Sequence, residues 1–260
     1  MTTAPLLAVR GLSKSFGGVR AVAGVSFDLG AGEMLALIGP NGAGKTTCFN
    51  MVGGQLAPDA GSVKLGGREL VGLAPDAIWR QGVGRTFQIA ETFASLTVVE
   101  NVQLALLSHA GRVLGFWRPA RAQFRDEAIA LLEGVGMAAQ AQRATSVLAY
   151  GDVKRVELAI ALAHRPRLLL MDEPTAGMAP GERNELMALA RRLASEQAIG
   201  VLFTEHSMDV VFAHADRVIV LARGELIAQG PPMQVRDDEK VREVYFGGGT
   251  TFGRGETSHA

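Results

Sequence analysis

Residues Gly39-Pro40-Asn41-Gly42-Ala43-Gly44-Lys45-Thr46 fit the pattern G-x-x-x-x-G-K-[ST] without a mismatch. An apolar run, Met34 to Ile38, precedes them, and helix-compatible sequence follows until Gly53-Gly54 stops it. Strand, glycine loop and helix in that order make a phosphate-binding turn. The glycines let backbone N–H groups converge on anionic oxygens, and the helix starting near Lys45 adds the positive end of its dipole. In this arrangement Lys45 reaches the β- and γ-phosphates of a nucleotide and the Thr46 hydroxyl coordinates Mg²⁺, with Thr47 continuing the seat. A glycine-rich turn that matches by chance is the alternative, and it leaves the flanking strand and helix unexplained.

Strand-like segments alternate with helical ones along much of the chain. Leu6 to Val9, Val25 to Leu29, Met34 to Ile38 and Ser62 to Leu65 read as strands. From about Thr97 to Ala144 the texture is helical, with Thr97 and Glu100 spaced as a capping box and Ala120 to Leu132 as an amphipathic stretch. A helix is expected from Asp152 to Ala163. Then come a strand at Leu168 to Met171, a helix at about Gly181 to Ser195, a strand at Val201 to Thr204 and a helix from Ser207. Arg217 to Leu221 and Leu226 to Gln229 follow as strands joined by a turn. Such alternation predicts an α/β fold with a mostly parallel sheet and helices on both faces, the central helical stretch being an insertion.

The strand Leu168 to Met171 ends in Asp172-Glu173. Alternation along a strand aims successive side chains differently. Asp172 is therefore expected to hold Mg²⁺ while Glu173 faces the water that attacks the γ-phosphate. Ordinary acids on a solvated strand end are the other reading, and the glycine loop decides against it.

Between these motifs lies Leu148-Ala149-Tyr150-Gly151-Asp152-Val153-Lys154-Arg155. It is similar to the L-S-G-G-Q signature of ABC ATPases. Gln88 in Arg85-Thr86-Phe87-Gln88 resembles the Q-loop glutamine of that family, and His206 in Thr204-Glu205-His206 its switch histidine. Phe16, in Ser15-Phe16-Gly17-Gly18, falls where the family sets an aromatic against adenine, and Val22 is grouped with it as cofactor-binding. Each is weak alone, since a lone Phe is usually core and a lone His a cap or surface residue. Together, in the family's order, they identify the chain as similar to ABC ATPases from about Leu7 to Gly247. Ala176-Gly177-Met178-Ala179-Pro180 and the ending Val241 to Gly247 resemble the ATPases of branched-chain amino-acid importers most. Urea and short-amide importers look similar.

The resemblance implies a P-loop NTPase fold with a mostly parallel core sheet, an N-terminal antiparallel β portion and an inserted helical lobe at about 97–163. One domain is expected over 1–247, with 248–260 a mobile tail. It implies ATP and Mg²⁺ as cofactors, with Glu173, His206, Lys45 and Gln88 catalytic and Thr46, Gln88 and Asp172 at the metal. Nucleotide would bind residues 39–47 and, in trans, Leu148, Ala149, Tyr150 and Gly151 of a second ATPase subunit, identical or paralogous. Two permease subunits, docked on the helical lobe, and indirectly an extracytoplasmic solute-binding protein complete the expected assembly at the cytoplasmic face of the inner membrane. Four departures stand out. Ala149 lacks the signature serine's hydroxyl, Tyr150 replaces a glycine, Asp152 puts an acid where glutamine is usual, and Ala179 occupies the D-loop aspartate's position.

Composition agrees with a globular cytoplasmic chain that works through partners. The 260 residues are 48% hydrophobic and 20% charged, enough for a sizeable core. Basic and acidic residues balance at 26 each, which removes the electrostatic case for a nucleic-acid partner. The single cysteine, Cys48, excludes a disulfide framework and reads as a small residue on the helix after the glycine loop. The start lacks a basic, then apolar, leader pattern, and no apolar run approaches the ~20 residues of a membrane span. Other function classes fit less well. Soluble ABC ATPases of DNA repair or translation usually carry two ATPase halves or a long coiled-coil insert. A binding module without turnover does not need Glu173. P-loop kinases and GTPases do not explain the signature and His206 together.

Overall fold

The computed structural model describes residues 4–86, 92–111 and 123–246. Gln88, residues 120–122 of the expected amphipathic stretch and the tail 248–260 lie outside the described residues.

Two sheets form around one apolar strand. β1 (Leu7–Phe16) and β2 (Val19–Leu29) make a hairpin through Gly17-Gly18. β4 (Ala60–Leu65) and β5 (Arg68–Glu69) extend it into an antiparallel sheet of order β2-β1-β4-β5. The second sheet contains β3 (Met34–Ile38), β6 (Val83–Thr86), β7 (Leu168–Asp172), β8 (Gly200–Thr204), β9 (Arg217–Ala222) and β10 (Glu225–Gly230). Its order is β10-β9-β3-β8-β7-β6, parallel throughout except for the β9–β10 edge.

β3 is buried on both faces, as a central parallel strand must be. Its period of two divides the core. Met34, Ala36 and Ile38 join one apolar cluster with Leu169, Met171 and Phe203, while Leu35 and Leu37 join another with Phe49, Leu168 and Leu170. The first cluster is covered by α5 (Tyr150–Leu162), α6 (Pro180–Gln197) and α7 (Met208–His214), and the second by α1 (Lys45–Val52) and the antiparallel sheet. Between β6 and β7, α3 (Val98–His109) packs on α4 (Arg125–Gly134) and α5. The capping box at the start of α3 forms as its spacing predicts. The Glu100 N–H donates to Thr97 Oγ1 at 3.3 Å, and the Thr97 N–H donates to Glu100 Oε2 at 2.9 Å.

The chain also folds α2 (Pro75–Arg80), α8 (Pro232–Asp237) and α9 (Glu239–Phe246), which the sequence reading left unplaced together with β5 and β6. The helix expected from Asp152 starts two residues earlier, at Tyr150. Among the described residues no helix is long and apolar enough to cross a membrane.

Candidate functional site: one rim of the parallel sheet

The glycine loop leaves the C-terminal end of β3, where open α/β sheets bind their ligands. Two of its glycines are required by close backbone approach. A Cβ on Gly44, at φ 99°, would stand 2.2 Å from the Ala21 carbonyl oxygen, and one on Gly39 would stand 2.2 Å from that of Leu221. The loop is fastened from behind by the β9–β10 turn. The Gly224 N–H donates to the Ala43 carbonyl at 3.0 Å, and the Gly224 carbonyl accepts from the Ala23 N–H at 2.8 Å. Gly44 then caps α1, whose first turn carries no acid, so its N–H groups and dipole face outward without a competing charge. Asn41, Gly42 and Thr46 are exposed there, Pro40 and Thr47 half-buried.

Lys45 is buried, and its ammonium donates to the Gly39 carbonyl at 2.6 Å and to that of Pro40 at 3.1 Å. Burial lowers its pKa, opposed by the negative charges of Glu173 and Asp172, which places both carboxylates within electrostatic reach of the loop. Cys48 is fully buried in α1 and burial pushes its thiol up to about 12, which makes it inert packing.

Strand register brings the remaining groups to the same level. Asp172 pairs with Thr204 across β7 and β8, and Thr204 with Leu37 across β8 and β3. The Thr204 hydroxyl donates to Asp172 Oδ1 at 2.7 Å. Simple alternation does not orient Glu173. β7 ends at Asp172, and Glu173 turns out of the strand with φ 46°, its N–H donating to Thr204. That turn sets Glu173 Oε1 2.7 Å from His206 Nε2. The next residue back, Glu205, is 4% exposed. Its Oε1 accepts from the Thr175 N–H at 3.0 Å and from the Thr175 hydroxyl at 2.7 Å, fixing the turn that follows Glu173. Thr204 and Glu205 are site-building residues that the sequence reading passed over, although both lie in the string that drew attention to His206.

Phe16 ends β1 half exposed, on the hairpin whose other strand backs Gly44 through Ala21, with the Lys14 ammonium 5.7 Å from its ring centre. Val22 is fully buried, and a Cβ on Gly44 would meet its Cγ2 at 3.4 Å, so its side chain lies behind the loop. Leu148 and Ala149 lead into α5 and Tyr150 and Gly151 open it, beside Gly177, Met178 and Glu182. Asp152 points aside, accepting from Gln140 Nε2 at 2.9 Å. Ala179 caps α6 without a side-chain acceptor, and its N–H donates to Glu182 Oε2 at 3.3 Å.

Thr46, exposed in the first turn of α1, and Asp172, at the end of β7, both offer oxygen donors. No cluster of three or more His, Cys, Asp or Glu forms a metal cage among the described residues. Few protein oxygens, to be completed by phosphates and water, suit Mg²⁺.

Comparison with known proteins shows the family and the fold. Residues 22–176 match the family model described as ABC transporter, and residues 225–250 match one described as branched-chain amino acid ATP-binding cassette transporter. The high-affinity branched-chain amino acid transport ATP-binding protein BraF of Pseudomonas aeruginosa is 40% identical over 250 residues, covering 94% of this chain and 98% of that protein. LivG of Escherichia coli K12, with the same description, is 39% identical over 251 residues at the same coverage. A solved ATP-binding cassette of an ABC transporter in its ADP conformation superposes with a TM-score of 0.84 at 30% identity, over 94% of this chain and 100% of that one. A dimeric cassette bound to ADP and Pi gives 0.73 at 25%, over 87% and 98%. The chain belongs to the ABC transporter family and has the fold of its ATP-binding cassettes.

Proposed function

We propose that this chain is the ATP-hydrolysing subunit of an ABC importer for branched-chain amino acids. The observation that carries the ATPase reading is the 2.7 Å pairing of Glu173 with His206 on the rim that also bears Lys45 and Asp172. The amino-acid class rests on the relatives' activity and on the match at residues 225–250.

Phosphoryl transfer to water leaves the protein mainly to position groups and to neutralise charge. Phe16 stacks on the adenine. The N–H groups of residues 39–47 and the start of α1 take the phosphates, and Lys45 exchanges its loop carbonyls for β- and γ-oxygens. Glu173 orients the attacking water and accepts its proton, while His206 holds Glu173 and reaches toward the γ-phosphate. Thr46, Asp172 and Gln88 would hold Mg²⁺, which would supply positive charge against the phosphates. The opening of α5 faces the nucleotide of a second cassette in trans. Two permease subunits dock on the α3–α5 lobe at the cytoplasmic face of the membrane, fed by an external solute-binding protein.

The test is to purify the complex this chain forms in its own membranes, identify its subunits and measure ATP-dependent uptake into vesicles. Leucine, isoleucine or valine uptake with two permease chains is expected. Uptake of urea or short amides alone, or a complex without membrane subunits, would overturn the proposal.

A further inference from the structure

Arg85, on β6, belongs to no step above, yet it lies against the metal-site carboxylate. Its Nη2 stands 2.9 Å from Asn50 Oδ1 and 3.5 Å from Asp172 Oδ2, while Nη1 donates to Gln55 Oε1. Its guanidinium carbon lies 4.9 Å from the centre of the Phe49 ring. Asn50 and Phe49 belong to α1, and Gln55 follows it. The side chains of Arg85 and Asp172 are 14% and 16% exposed, so little solvent screens the pair. Both Asp172 oxygens are thus addressed, Oδ1 by the neutral Thr204 hydroxyl and Oδ2 by a fixed positive charge.

The amide oxygens of Asn50 and Gln55 take part of the planar fork, and Asp172 Oδ2 lies at longer range. A cation reaching Asp172 therefore meets a guanidinium that Asn50 and Gln55 help keep in place. We propose that Arg85 is a tethered counter-ion for Asp172, which holds divalent cations off that carboxylate until a nucleotide brings its own phosphate charges. The proposal rests on reading Asp172 as the metal-holding carboxylate.

The experiment measures Mn²⁺ binding to the full chain without nucleotide, from the free Mn²⁺ signal in electron paramagnetic resonance, for wild type, Arg85→Gln, Arg85→Lys, Asp172→Asn and the Arg85→Gln/Asp172→Asn double variant. Removing a unit charge this close to the ion's carboxylate is expected to tighten Mn²⁺ binding on the order of tenfold in Arg85→Gln. Arg85→Lys keeps the charge and stays near wild type. The double variant loses the gain. ATP affinity in EDTA reports on the integrity of the fold. If Arg85→Gln folds poorly, Arg85→Met, whose stem still covers Phe49, is read the same way. Unchanged Mn²⁺ binding in the neutral variants overturns the counter-ion, and the reading of Asp172 survives if Asp172→Asn still weakens Mn²⁺-nucleotide binding. If Asp172→Asn leaves that binding intact, the reading of Asp172 fails and the counter-ion with it.

Discussion

The rim of the parallel sheet and the opening of α5 are both polar, but they satisfy their polar groups differently. On the rim, partners come from within the chain: Lys45 on the Gly39 and Pro40 carbonyls, Asp172 on Thr204, Glu173 on His206. At the opening of α5, Ala149 has no side chain to cap the helix, and Tyr150 is 44% exposed. Asp152, the acid of the first turn, is turned to Gln140. First-turn N–H groups without a side-chain cap remain donors. The described rim groups are paired within the chain, whereas the start of α5 has no side-chain cap and is left able to receive an anion. That difference supports the proposal of a nucleotide site finished by a second cassette.

The sharpest way to break the comparison is Glu173→Gln. Glutamine keeps the shape and an acceptor oxygen but loses the carboxylate, so turnover should fall ~10²–10⁴-fold while ATP still binds. A dimer stable in ATP should then accumulate, visible by light scattering. Wild-type turnover in this variant would move the base elsewhere, with His206 the first candidate.

Lys45→Ala comes next. Losing one preorganised charge partner of the phosphates should cost on the order of 3 kcal/mol in kcat/KM, with weaker ATP binding in titration calorimetry. Near-normal kcat/KM would show that the backbone cradle suffices.

Acid should loosen the packing around His164. His164 follows α5 and stacks 4.7 Å from Trp79 of α2, with His109 of α3 close by. Burial is the main cause that drives its pKa from 6.5 down to about 4. The unfolded chain therefore takes up a proton at His164 first. This contribution to stability is full above pH ~6.5 and is lost as pH falls toward ~4, up to about 3 kcal/mol. Denaturant titrations across that range should show the loss in wild type and a flatter profile in His164→Phe. Equal slopes would remove His164 as the cause.

The smallest effect sharpens the contrast at α5. Ala149→Ser supplies an N-cap oxygen and should stabilise the chain by about 1 kcal/mol, raising Tm by roughly 2–4 °C. An unchanged Tm would mean that those N–H groups are already satisfied.

Legibility in the sequence follows how local each cause is. β3 is legible to the residue, because five buried apolar side chains lie between Glu33 and Gly39. The Thr97–Glu100 box is legible because both halves sit within one turn. α2 and α8 carry a readable signal in Pro75 and Pro232 at their first turns. β6 does not, since Val83-Gly84-Arg85-Thr86 is mixed in polarity. It is a strand because Gly84 fits against Ala161, where a Cβ would stand 2.9 Å from the carbonyl oxygen, and because β7 pairs with it. In the site, the glycine loop and the acids are local patterns. The left-handed turn at Glu173 and the burial of Glu205 against Thr175 depend on β8 lying alongside, which no spacing within one segment encodes.

The Gly224 fastening gives the glycine loop an unusual mechanical position. One residue rivets the Ala43 carbonyl of the loop to Ala23 of β2, and β2 belongs to the other sheet. Gly224 itself sits in the β9–β10 turn, at the edge of the parallel sheet. A tug on the loop therefore pulls on both sheets through a joint with no side chain to flex. The strand pair that carries Phe16 and the sheet that carries Asp172 are loaded together.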